Sequence, residues 1–472
     1  MNADLKKMEN LILKVSSFGH FIEKDGLVCG YNALRIETVY FQGELAPLIM
    51  ATLEQTVGHV ITSTPVTIRH ELKKILTLLI KAAILIPINY DEFSYLKQAQ
   101  SCFPNQPKVR VMVMHLTDYC NLKCRYCFIE GAMKPGYNRQ MMSQDTAQSA
   151  VDKFNQIISN KKLSKKPSIV FYGGEPLENF STLKFVLEYI AQKTREGKMQ
   201  KTDKIVITNG TLINDQVANL FKKHHVTVAV SLDGPKEIHD NNRIFRSGSG
   251  SFDQVMTGIN RLKARGVKPS IACVLSKNSL PHIDEILHFF LGELKIDSLG
   301  FNHVSIIPNV NEYDPEYEDK CADAIIKGQE IIQQYYPHVY ERRMNNKMDN
   351  FFNRKLLHSD CTGCGEQMSI SSDGQIGICQ GYMGTRKTFN HTVFEANFDP
   401  NDDPIFKEWS TRSPLNMPPC HHCIALSTCG GGCPRNADFL TGSIWNKDEA
   451  FCFFAKKAQI WMIWEKYRRL NQ

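Results

Sequence analysis

The distribution of cysteine constrains this chain more than any other feature of its sequence. Of the 15 cysteines, three fall in one dense group, eight in another, and four stand alone. The first residues of the chain contain only a broken apolar stretch, so we expect no secretory signal and a reducing, cytoplasmic environment. Disulfides do not persist there, and clustered cysteines then indicate metal binding or catalysis. The sequence therefore predicts a protein organised around metal centres.

Composition excludes several other classes of protein. Hydrophobic residues make up 42% and charged residues 22%, which is the balance of a globular chain rather than a disordered one. The net charge of +7 is not gathered in a basic stripe, so we expect no nucleic-acid partner. The most apolar run, residues 75–88, is interrupted by Lys81 and is too short to cross a bilayer. We therefore expect no membrane partner.

At roughly 150 residues per domain, the 472 residues make about three domains. Residues 1–100 are predicted to form a small winged-helix-like module. Apolar strands at 27–30 and 35–41 are typical of a hairpin, helical stretches follow at 45–54 and 68–81, and a short strand ends the module. The polar residues 98–108, which include prolines, are predicted to be a linker.

Residues 109–335 alternate between β-rich and helical runs, which predicts a parallel sheet with helices outside it. Six repeats cannot close an eight-stranded barrel, so the predicted fold class is α/β, with a partial (β/α)6 barrel of the TIM type. A flat doubly wound sheet satisfies the same periodicity and stays open as an alternative. The predicted strands are 109–116, 168–172, 205–208, 226–231, 270–275 and 298–303.

Residues 336–472 are predicted to form a third domain that depends on metal for its stability. This part holds eight cysteines, many glycines and little apolar periodicity, so it has too little core to fold unaided. Its last residues, 451–470, form a helical stretch with aromatic anchors that we expect to dock onto the domain.

The first cysteine group is Cys120, Cys124 and Cys127, spaced C-x3-C-x2-C directly after the first predicted barrel strand. Functional sites lie in loops at the carboxyl ends of such strands. Three thiolates leave one iron of a [4Fe–4S] cube open for a further ligand. A zinc knuckle with a distant fourth ligand is the alternative at this spacing.

This motif, with an aromatic residue before the third cysteine, resembles that of the radical S-adenosylmethionine enzymes. Later strand ends carry the polar and glycine-rich segments that this family has in the same order, GGEP, TNG and SLDG, followed by an arginine. The resemblance implies a [4Fe–4S] cluster on the three cysteines and bound S-adenosylmethionine, with the GGEP segment on its methionine amino group and the arginine near its carboxylate. The implied cofactor contacts are Tyr126, Gly173, Gly174, Glu175, Asn209, Ser231, Asp233 and Arg243.

The second cysteine group fits either two zinc sites or two [4Fe–4S] clusters, because eight thiolates supply both. Its C-x2-C-x5-C-x3-C block, with three glycines before the last cysteine, resembles the SPASM extension of radical enzymes that modify peptides and proteins. The resemblance implies a C-terminal cluster domain with two auxiliary [4Fe–4S] clusters. One would take Cys361, Cys364, Cys379 and Cys433, and the other Cys420, Cys423, Cys429 and Cys452. The four lone cysteines are expected to be buried small hydrophobes.

One residue departs from a branch of this family. Sulfatase-maturing enzymes place an aspartate directly after the cysteine that matches Cys379, where it accepts a proton during oxidation of serine or cysteine. Gln380 stands there in this chain, and an amide cannot act as that base. The sequence therefore argues against formylglycine formation.

The resemblance implies radical chemistry on a peptide. Cleavage of S-adenosylmethionine by the reduced cluster gives a 5′-deoxyadenosyl radical, which removes a hydrogen atom from an unactivated carbon of the substrate. A winged-helix-like module ahead of such an enzyme resembles the domains of ribosomal peptide maturases that hold a leader peptide as an added strand. A cap that packs on the barrel, or a DNA-binding module, are the alternatives for these residues.

We therefore predict an enzyme that cross-links a ribosomally made precursor peptide, through a thioether from cysteine sulfur to carbon. Its other expected partner is an electron donor such as flavodoxin or ferredoxin. The alternatives are a sulfatase-maturing enzyme, a maturase that forms carbon–carbon or carbon–oxygen links, and a non-enzymatic iron–sulfur or zinc scaffold.

Overall fold

A computed structural model describes residues 9–103, 105–159, 163, 165–307 and 313–471. Residues 1–8 of the predicted N-terminal module and residue 104 of the predicted linker lie outside these ranges. Within them, no helix combines the length and the apolar character that crossing a bilayer requires.

The N-terminal part of the chain combines small antiparallel sheets with helices. Its elements are β1 (Leu13–Val15), β2 (Gly19–Lys24), β3 (Leu27–Asn32), β4 (Glu37–Gln42), a 3-10 turn (Gly43–Leu45), α1 (Ala46–Ala51), α2 (Val57–Ser63), α3 (Val66–Lys81), β5 (Leu85–Pro87) and α4 (Phe93–Ser101). Strands pair in the order β2–β3–β4, and β1 pairs with β5. Asp25 and Gly26 both have positive φ, 52° and 77°, which is typical of a type I′ turn between β2 and β3. The predicted hairpin is present as β3 and β4, whereas the predicted linker begins inside α4.

The central part alternates strands and helices as the sequence predicts. Its elements are β6 (Val111–His115), α5 (Phe128–Gly131), α6 (Gln144–Ser159), β7 (Ser168–Tyr172), a 3-10 turn (Pro176–Asn179), α7 (Phe180–Arg195), β8 (Asp203–Thr208), α8 (Asp215–Lys223), β9 (Thr227–Ser231), α9 (Lys236–Asn242), α10 (Phe252–Ala264), β10 (Ser270–Leu275), a 3-10 turn (Leu280–His282), α11 (Ile283–Leu287), a π-helical turn (His288–Glu293), β11 (Ser298–His303) and α12 (Pro315–Tyr335). Each of the six predicted strands is present within a few residues.

Strand order distinguishes the barrel from the doubly wound sheet. Strands β6 to β11 run parallel in consecutive order without a reversal. A doubly wound sheet reverses its order at a switch point, whereas consecutive right-handed crossovers leave all helices on one face. Alternate strand residues such as Met112, Met114 and Phe171 accordingly pack with Phe154 and Val186 of the helices in one core. The opposite face lines the inside of an open barrel, which supports the partial-barrel prediction.

The C-terminal part continues the same sheet. Its elements are β12 (Tyr340–Glu341), α13 (Arg342–Phe352), β13 (Gln367–Ile370), β14 (Gln375–Gly377), a 3-10 turn (Gln380–Tyr382), β15 (His391–Thr392), α14 (Pro404–Thr411), 3-10 turns (Pro414–Asn416 and Pro418–Cys420), α15 (Leu426–Cys429), α16 (Pro434–Thr441) and α17 (Glu449–Leu470). β13 lies parallel to β6, and β14 and β15 follow it antiparallel. The sheet therefore crosses the predicted boundary at residue 336.

The two ends of the chain share a hydrophobic core. Tyr31 and Leu34 from the N-terminal part pack with Phe351 and Ile463 from the C-terminal part. The Tyr40 hydroxyl donates to the carbonyl oxygen of Ile463 at 2.6 Å. α17 thus docks onto the rest of the protein, as its aromatic anchors predict.

Three of the four lone cysteines, Cys29, Cys273 and Cys321, are fully buried as expected. The same expectation is wrong for Cys102, which is exposed just after the end of α4. It lies where the chain leaves the N-terminal part, so no core packs over it.

Candidate functional site

The first cysteine group lies in the loop that follows β6, and the Cys127 sulfur caps α5 by accepting from the Glu130 N–H at 3.5 Å. Burial raises the pKa of Cys120 to about 12 and that of Cys124 to about 11, and repulsion between neighbouring sulfurs adds to both shifts. All three residues nevertheless keep some accessible surface. The three thiols are therefore desolvated without being sealed in the core, and three thiolates are the ligand set that leaves one iron of a [4Fe–4S] cube open.

The thiols of the first auxiliary set influence one another's pKa values. The pKa of Cys361 is raised first by its hydrogen bond with Cys364, and the same bond lowers the pKa of Cys364. Burial raises the pKa of Cys379 and brings that of Cys433 to about 12, and repulsion from Cys361 adds to both. Each of these four thiols therefore lies in electrostatic range of at least one other.

The second auxiliary set behaves in the same way. Burial raises the pKa of Cys420 to about 12 and that of Cys429 to about 11, with repulsion from Cys423 adding to each. Burial also raises the pKa of Cys452, again with Cys429 and Cys423 adding. The strongest effects of one thiol on the pKa of another thus act within each of the two sets that the family resemblance implies.

The chemistry of the clustered side chains tests whether they fit a metal centre. In the described ranges, no three His, Cys, Asp or Glu side chains are arranged to hold one metal ion. The thiolates on a zinc ion all lie about 2.3 Å from one metal atom, whereas each thiolate of a cube binds a different iron. The donor set itself, thiols in groups of three, four and four, fits the ligand counts of three iron–sulfur cubes, and the two groups of four also fit zinc.

The GGEP segment packs directly on the cysteine loop. A Cβ at Gly173 would lie 2.5 Å from the Thr117 carbonyl oxygen, and one at Gly174 would lie 2.5 Å from the Tyr119 carbonyl carbon. The Gly174 N–H donates to Thr117 and the Glu175 N–H to Tyr119, each at 2.8 Å. Because these N–H groups already donate to the cysteine loop, the backbone groups that remain for a ligand are carbonyl oxygens. Carbonyl oxygens can accept from an amino group such as that of S-adenosylmethionine.

Glu175 is a buried carboxylate that joins the ends of β7 and β8. It accepts from the Thr208 hydroxyl and the Asn209 N–H, both at 2.7 Å, and from the Leu177 N–H at 3.0 Å. Burial raises its pKa to about 7 against the effect of these bonds. With three donors on its oxygens, its side chain positions Asn209 rather than standing free for a ligand.

Asn209 stands beside the first cysteine. Its Nδ2 donates to Asn121 Oδ1 at 2.9 Å and lies 3.9 Å from Cys120 Sγ. Thr211 donates to Asn209 Oδ1 through both its N–H and its hydroxyl, and it accepts from Asn121. Asn121 and Thr211 were not among the residues that the sequence singles out, although each directly neighbours a motif.

Asp233, Arg243 and Tyr126 form a second polar group next to Cys124. Asp233 is fully buried and accepts from the Tyr126 hydroxyl and, at 3.0 Å, from the Val274 N–H. Arg243 Nε lies 3.1 Å from Asp233 Oδ2 without hydrogen-bond geometry, and the guanidinium stands 5.3 Å from the Tyr126 ring centroid. The donors of Arg243 are thus only partly engaged.

Two further inward-facing residues lie at the same end of the barrel. Ser231 lies at the end of β9 and is partly exposed. Tyr172 ends β7; burial raises its pKa, and the thiols of Cys127, Cys120 and Cys124 add to the rise. The sequence shows Tyr172 only as part of a motif, but its alternation with core-facing Phe171 points its ring into the barrel.

Gln380 is fixed beside the first auxiliary set. Its Oε1 accepts from Gln367 Nε2 at 2.7 Å, and Gln367 Oε1 accepts from the Thr362 hydroxyl at 2.7 Å. Thr362 lies between Cys361 and Cys364. Gln380, which the sequence analysis expects in place of a basic aspartate, is therefore held by hydrogen bonds that run through Gln367 to Thr362, and sequence reasoning did not foresee them.

Comparison with known proteins now defines the class of this protein. Residues 114–290 match the model of the Radical SAM superfamily. The chain therefore carries a radical SAM domain and is an enzyme, and its resemblance to SPASM-type maturases is confirmed.

Particular relatives point to two kinds of maturase. The chain is 23% identical over 365 residues to the radical SAM cyclopropyl synthase TigE of Paramaledivibacter caminithermalis, covering 73% of this chain and 72% of that one. It is 27% identical over 378 residues to the cysteine-type anaerobic sulfatase-maturating enzyme of Clostridium novyi, covering 72% and 92%.

Solved structures establish the fold. The native anSMEcpe structure with bound AdoMet matches with a TM-score of 0.64 at 21% identity, over 76% of this chain and 98% of that one. Streptococcus suis SuiB bound to S-adenosylmethionine matches with a TM-score of 0.52 at 19% identity, over 94% and 99%.

Proposed function

We propose that this enzyme is a radical SAM peptide maturase that installs a thioether between a cysteine sulfur and a carbon of a ribosomally made precursor peptide. The observation that carries the proposal is the environment of Gln380. It lies next to Cys379 and is held by Gln367, so the chain has an amide where aldehyde formation would need a base. Oxidation without that base argues against the aldehyde and leaves closure of a cross-link, for which the thioether is the proposed form.

Three [4Fe–4S] clusters and S-adenosylmethionine are the proposed cofactors. The three thiols after β6 would hold the first cluster, and the two sets of four would hold the auxiliary clusters. When bound, these cofactors supply a carbon-centred radical that takes a hydrogen atom from the substrate, and an acceptor for the electron that remains. A flavodoxin or ferredoxin is the proposed electron donor, and the reducing cytoplasm the proposed location.

The chain's own residues would orient S-adenosylmethionine at the barrel mouth. The carbonyl oxygens of the GGEP segment would accept from its amino group. Arg243, whose donors are only partly engaged by Asp233, has hydrogen-bonding capacity left for its carboxylate. Glu175 would keep Asn209 in place beside Cys120, and Ser231 would offer a hydroxyl from the next strand.

The leader of the precursor peptide is proposed to add to β2. This strand is an edge of its sheet, and none of its residues is fully buried, whereas Val39 and Phe41 of the other edge strand are. The segment just before β2 contacts the loop between Cys420 and Cys423 of the second auxiliary set, since His422 Nδ1 lies 3.1 Å from the Ser17 carbonyl oxygen. A leader on β2 would therefore run beside the auxiliary domain.

The product of the reaction tests the proposal. Each thioether removes one hydrogen from carbon and one from a cysteine thiol, so enzyme, S-adenosylmethionine, reductant and precursor should give a peptide lighter by two hydrogens, with one fewer alkylatable thiol per link. Mass spectrometry before and after alkylation measures both. The same mass loss with all thiols free would reject the thioether and leave a carbon–carbon or carbon–oxygen link. A peptide of unchanged mass would reject cross-linking altogether.

A sulfatase-maturing activity is the second candidate, favoured by the likeness to the Clostridium novyi enzyme. It would convert a cysteine or serine of a protein substrate to an aldehyde, which an aldehyde-reactive hydrazide detects. The same activity assay should give no hydrazide adduct with this enzyme if the thioether proposal holds.

A further inference from the structure

His239 is a buried histidine that joins the two ends of the segment between β9 and α10. It lies on α9 with no accessible surface, and its Nδ1 accepts from the Asp233 N–H at 3.3 Å. Its Nε2 lies 3.0 Å from the hydroxyl of Ser251, which donates in turn to the Arg243 carbonyl oxygen at 2.7 Å. All four residues are buried, and Asp233 and Arg243 are two of the implied cofactor contacts.

The directions of these bonds fix the state of the ring. The Arg243 carbonyl can only accept, so the single hydrogen of the Ser251 hydroxyl is used there. The hydroxyl must then accept from His239, whose Nε2 carries the proton, while Nδ1 accepts from the Asp233 N–H. Burial lowers the pKa of His239 to about 4, Asp233 opposes this change and Arg243 adds to it, so the ring stays neutral. Neutral His239 therefore links the Asp233 backbone to the Arg243 backbone.

The segment that starts at the end of α9 packs on the first cysteine loop. The Asn242 carbonyl oxygen accepts from the Arg125 N–H at 3.0 Å, and the Ile244 carbonyl oxygen accepts from the Lys123 N–H at 2.8 Å. The residue between these two acceptors is Arg243. Its backbone is therefore held from one side by the cysteine loop and from the other side by the serine hydroxyl.

We propose that His239 is a positioning residue for S-adenosylmethionine: through Ser251 it holds Arg243 where the guanidinium can bind the cofactor carboxylate, and it keeps the arginine segment on the cysteine loop. The inference rests on the cofactor site of the proposed function. Hydrogen bonds between a guanidinium and a carboxylate are short and depend on geometry, so displacing the guanidinium weakens them. His239 acts through Arg243 rather than on the cofactor itself.

The affinity of the reconstituted enzyme for S-adenosylmethionine, measured by equilibrium dialysis, tests this link. Ser251→Ala removes the hydroxyl and leaves the ring in place, so the Kd should rise about tenfold, which is about 1.4 kcal/mol. Iron should stay at about 12 atoms per chain, because no cysteine is displaced. Thr52→Val is the matched control. The Thr52 hydroxyl is also buried and donates to a carbonyl oxygen, that of Ile49 at 2.6 Å, but it lies in the N-terminal part, so the Kd should not change.

Two substitutions of His239 separate hydrogen bonding from the filling of space. An asparagine amide places its oxygen near the position of Nδ1, whereas a glutamine amide places its nitrogen near that of Nε2. His239→Asn should therefore lose the bond to Ser251 and raise the Kd about tenfold, and His239→Gln should keep that bond and most of the affinity. Combining His239→Asn with Ser251→Ala should raise the Kd no further than either change alone, because both break the same link.

Hydrogen exchange of the enzyme without S-adenosylmethionine gives a readout that does not depend on binding. The amides of Lys123 and Arg125 should exchange faster in Ser251→Ala than in wild type or Thr52→Val, because the segment that accepts from them is loosened. An unchanged Kd or unchanged exchange in Ser251→Ala overturns the inference. Equal affinities of His239→Asn and His239→Gln also overturn it, and this comparison stands if Ser251→Ala does not fold. Wild-type enzyme that holds its iron but binds no S-adenosylmethionine would instead overturn the cofactor site of the proposed function.

Discussion

Replacing Gly174 by alanine should remove the first cluster selectively. The added methyl would lie 2.5 Å from the Tyr119 carbonyl carbon and 3.1 Å from the Asp118 carbonyl oxygen. Ordinary contact between carbon atoms needs about 3.5–4.0 Å, so the backbone directly before Cys120 must retreat by roughly 1 Å. Overpacking of this kind costs about 1–3 kcal/mol, and the two backbone bonds between these loops add about 1 kcal/mol each. We expect a loss of about 3–5 kcal/mol in the free energy of unfolding.

Urea unfolding and iron analysis of Gly174→Ala measure the two consequences. Iron should fall by about four atoms per chain, because Cys120 no longer faces its partners while the C-terminal sets are untouched. Gly300→Ala is the matched control, since its Cβ would meet Arg342 Cβ at an ordinary 3.8 Å. The reasoning is that the GGEP segment needs glycine because it packs on the cysteine loop. It would be refuted if Gly174→Ala had the stability and the iron content of wild type.

Two further predictions concern the leader site and the response to acid. The type I′ turn and the register of β2 and β3 point the Glu23 N–H away from β3, where it is available to an added strand. Glu23→Pro removes this N–H, so it should abolish processing of full-length precursor while cofactor cleavage without peptide persists. Glu23→Ala keeps the N–H and should process normally; equal activity of the two variants would reject strand addition at β2. Burial lowers the pKa of His115 from 6.5 to about 3, so its ring stays neutral in the folded protein while the unfolded chain binds a proton below pH 6.5. The contribution of neutral His115 to the free energy of unfolding is therefore complete above that pH and declines below it. Between about pH 7 and pH 5, the free energy of unfolding of His115→Phe should fall by about 2 kcal/mol less than that of wild type. Equal pH slopes of wild type and variant in urea unfolding would contradict this.

The sequence predicts the parts of the fold that have a local cause. Each barrel strand follows from a short β-rich run ended by a turn, and the run needs no distant partner to be recognised. The pairing of β1 with β5 joins residues 13–15 to 85–87, and no local pattern encodes it. The sequence does not predict α2. This helix is short, and its main local signal is a single N-cap residue, Thr56, whose hydroxyl accepts from the His59 N–H at 3.3 Å.

The candidate site divides in the same way. Cysteine spacing and the order of strand-end motifs identify the residues that would bind cofactors, because the chemistry needs those residue types at those places. The partners of these residues depend on three-dimensional packing. Glu175 accepts from Thr208 and Asn209 only because parallel strands bring their ends together. Arg412 lies in the segment Ser410–Pro414, which carries no motif, and only its complete burial distinguishes it.

The interleaving of the auxiliary cysteines couples the two proposed clusters mechanically. Cys433 belongs to the first set but lies within the span of the second, so the chain must pass from one set to the other between Cys429 and Cys433. Gly430, Gly431 and Gly432 make that passage with φ of 72°, 83° and 65°, a left-handed run that other residues adopt only with strain. Loosening this turn would displace a ligand of each set and free the carbonyl that binds Arg412. Because one turn serves both, local unfolding there should release iron from both sets together rather than from either one alone.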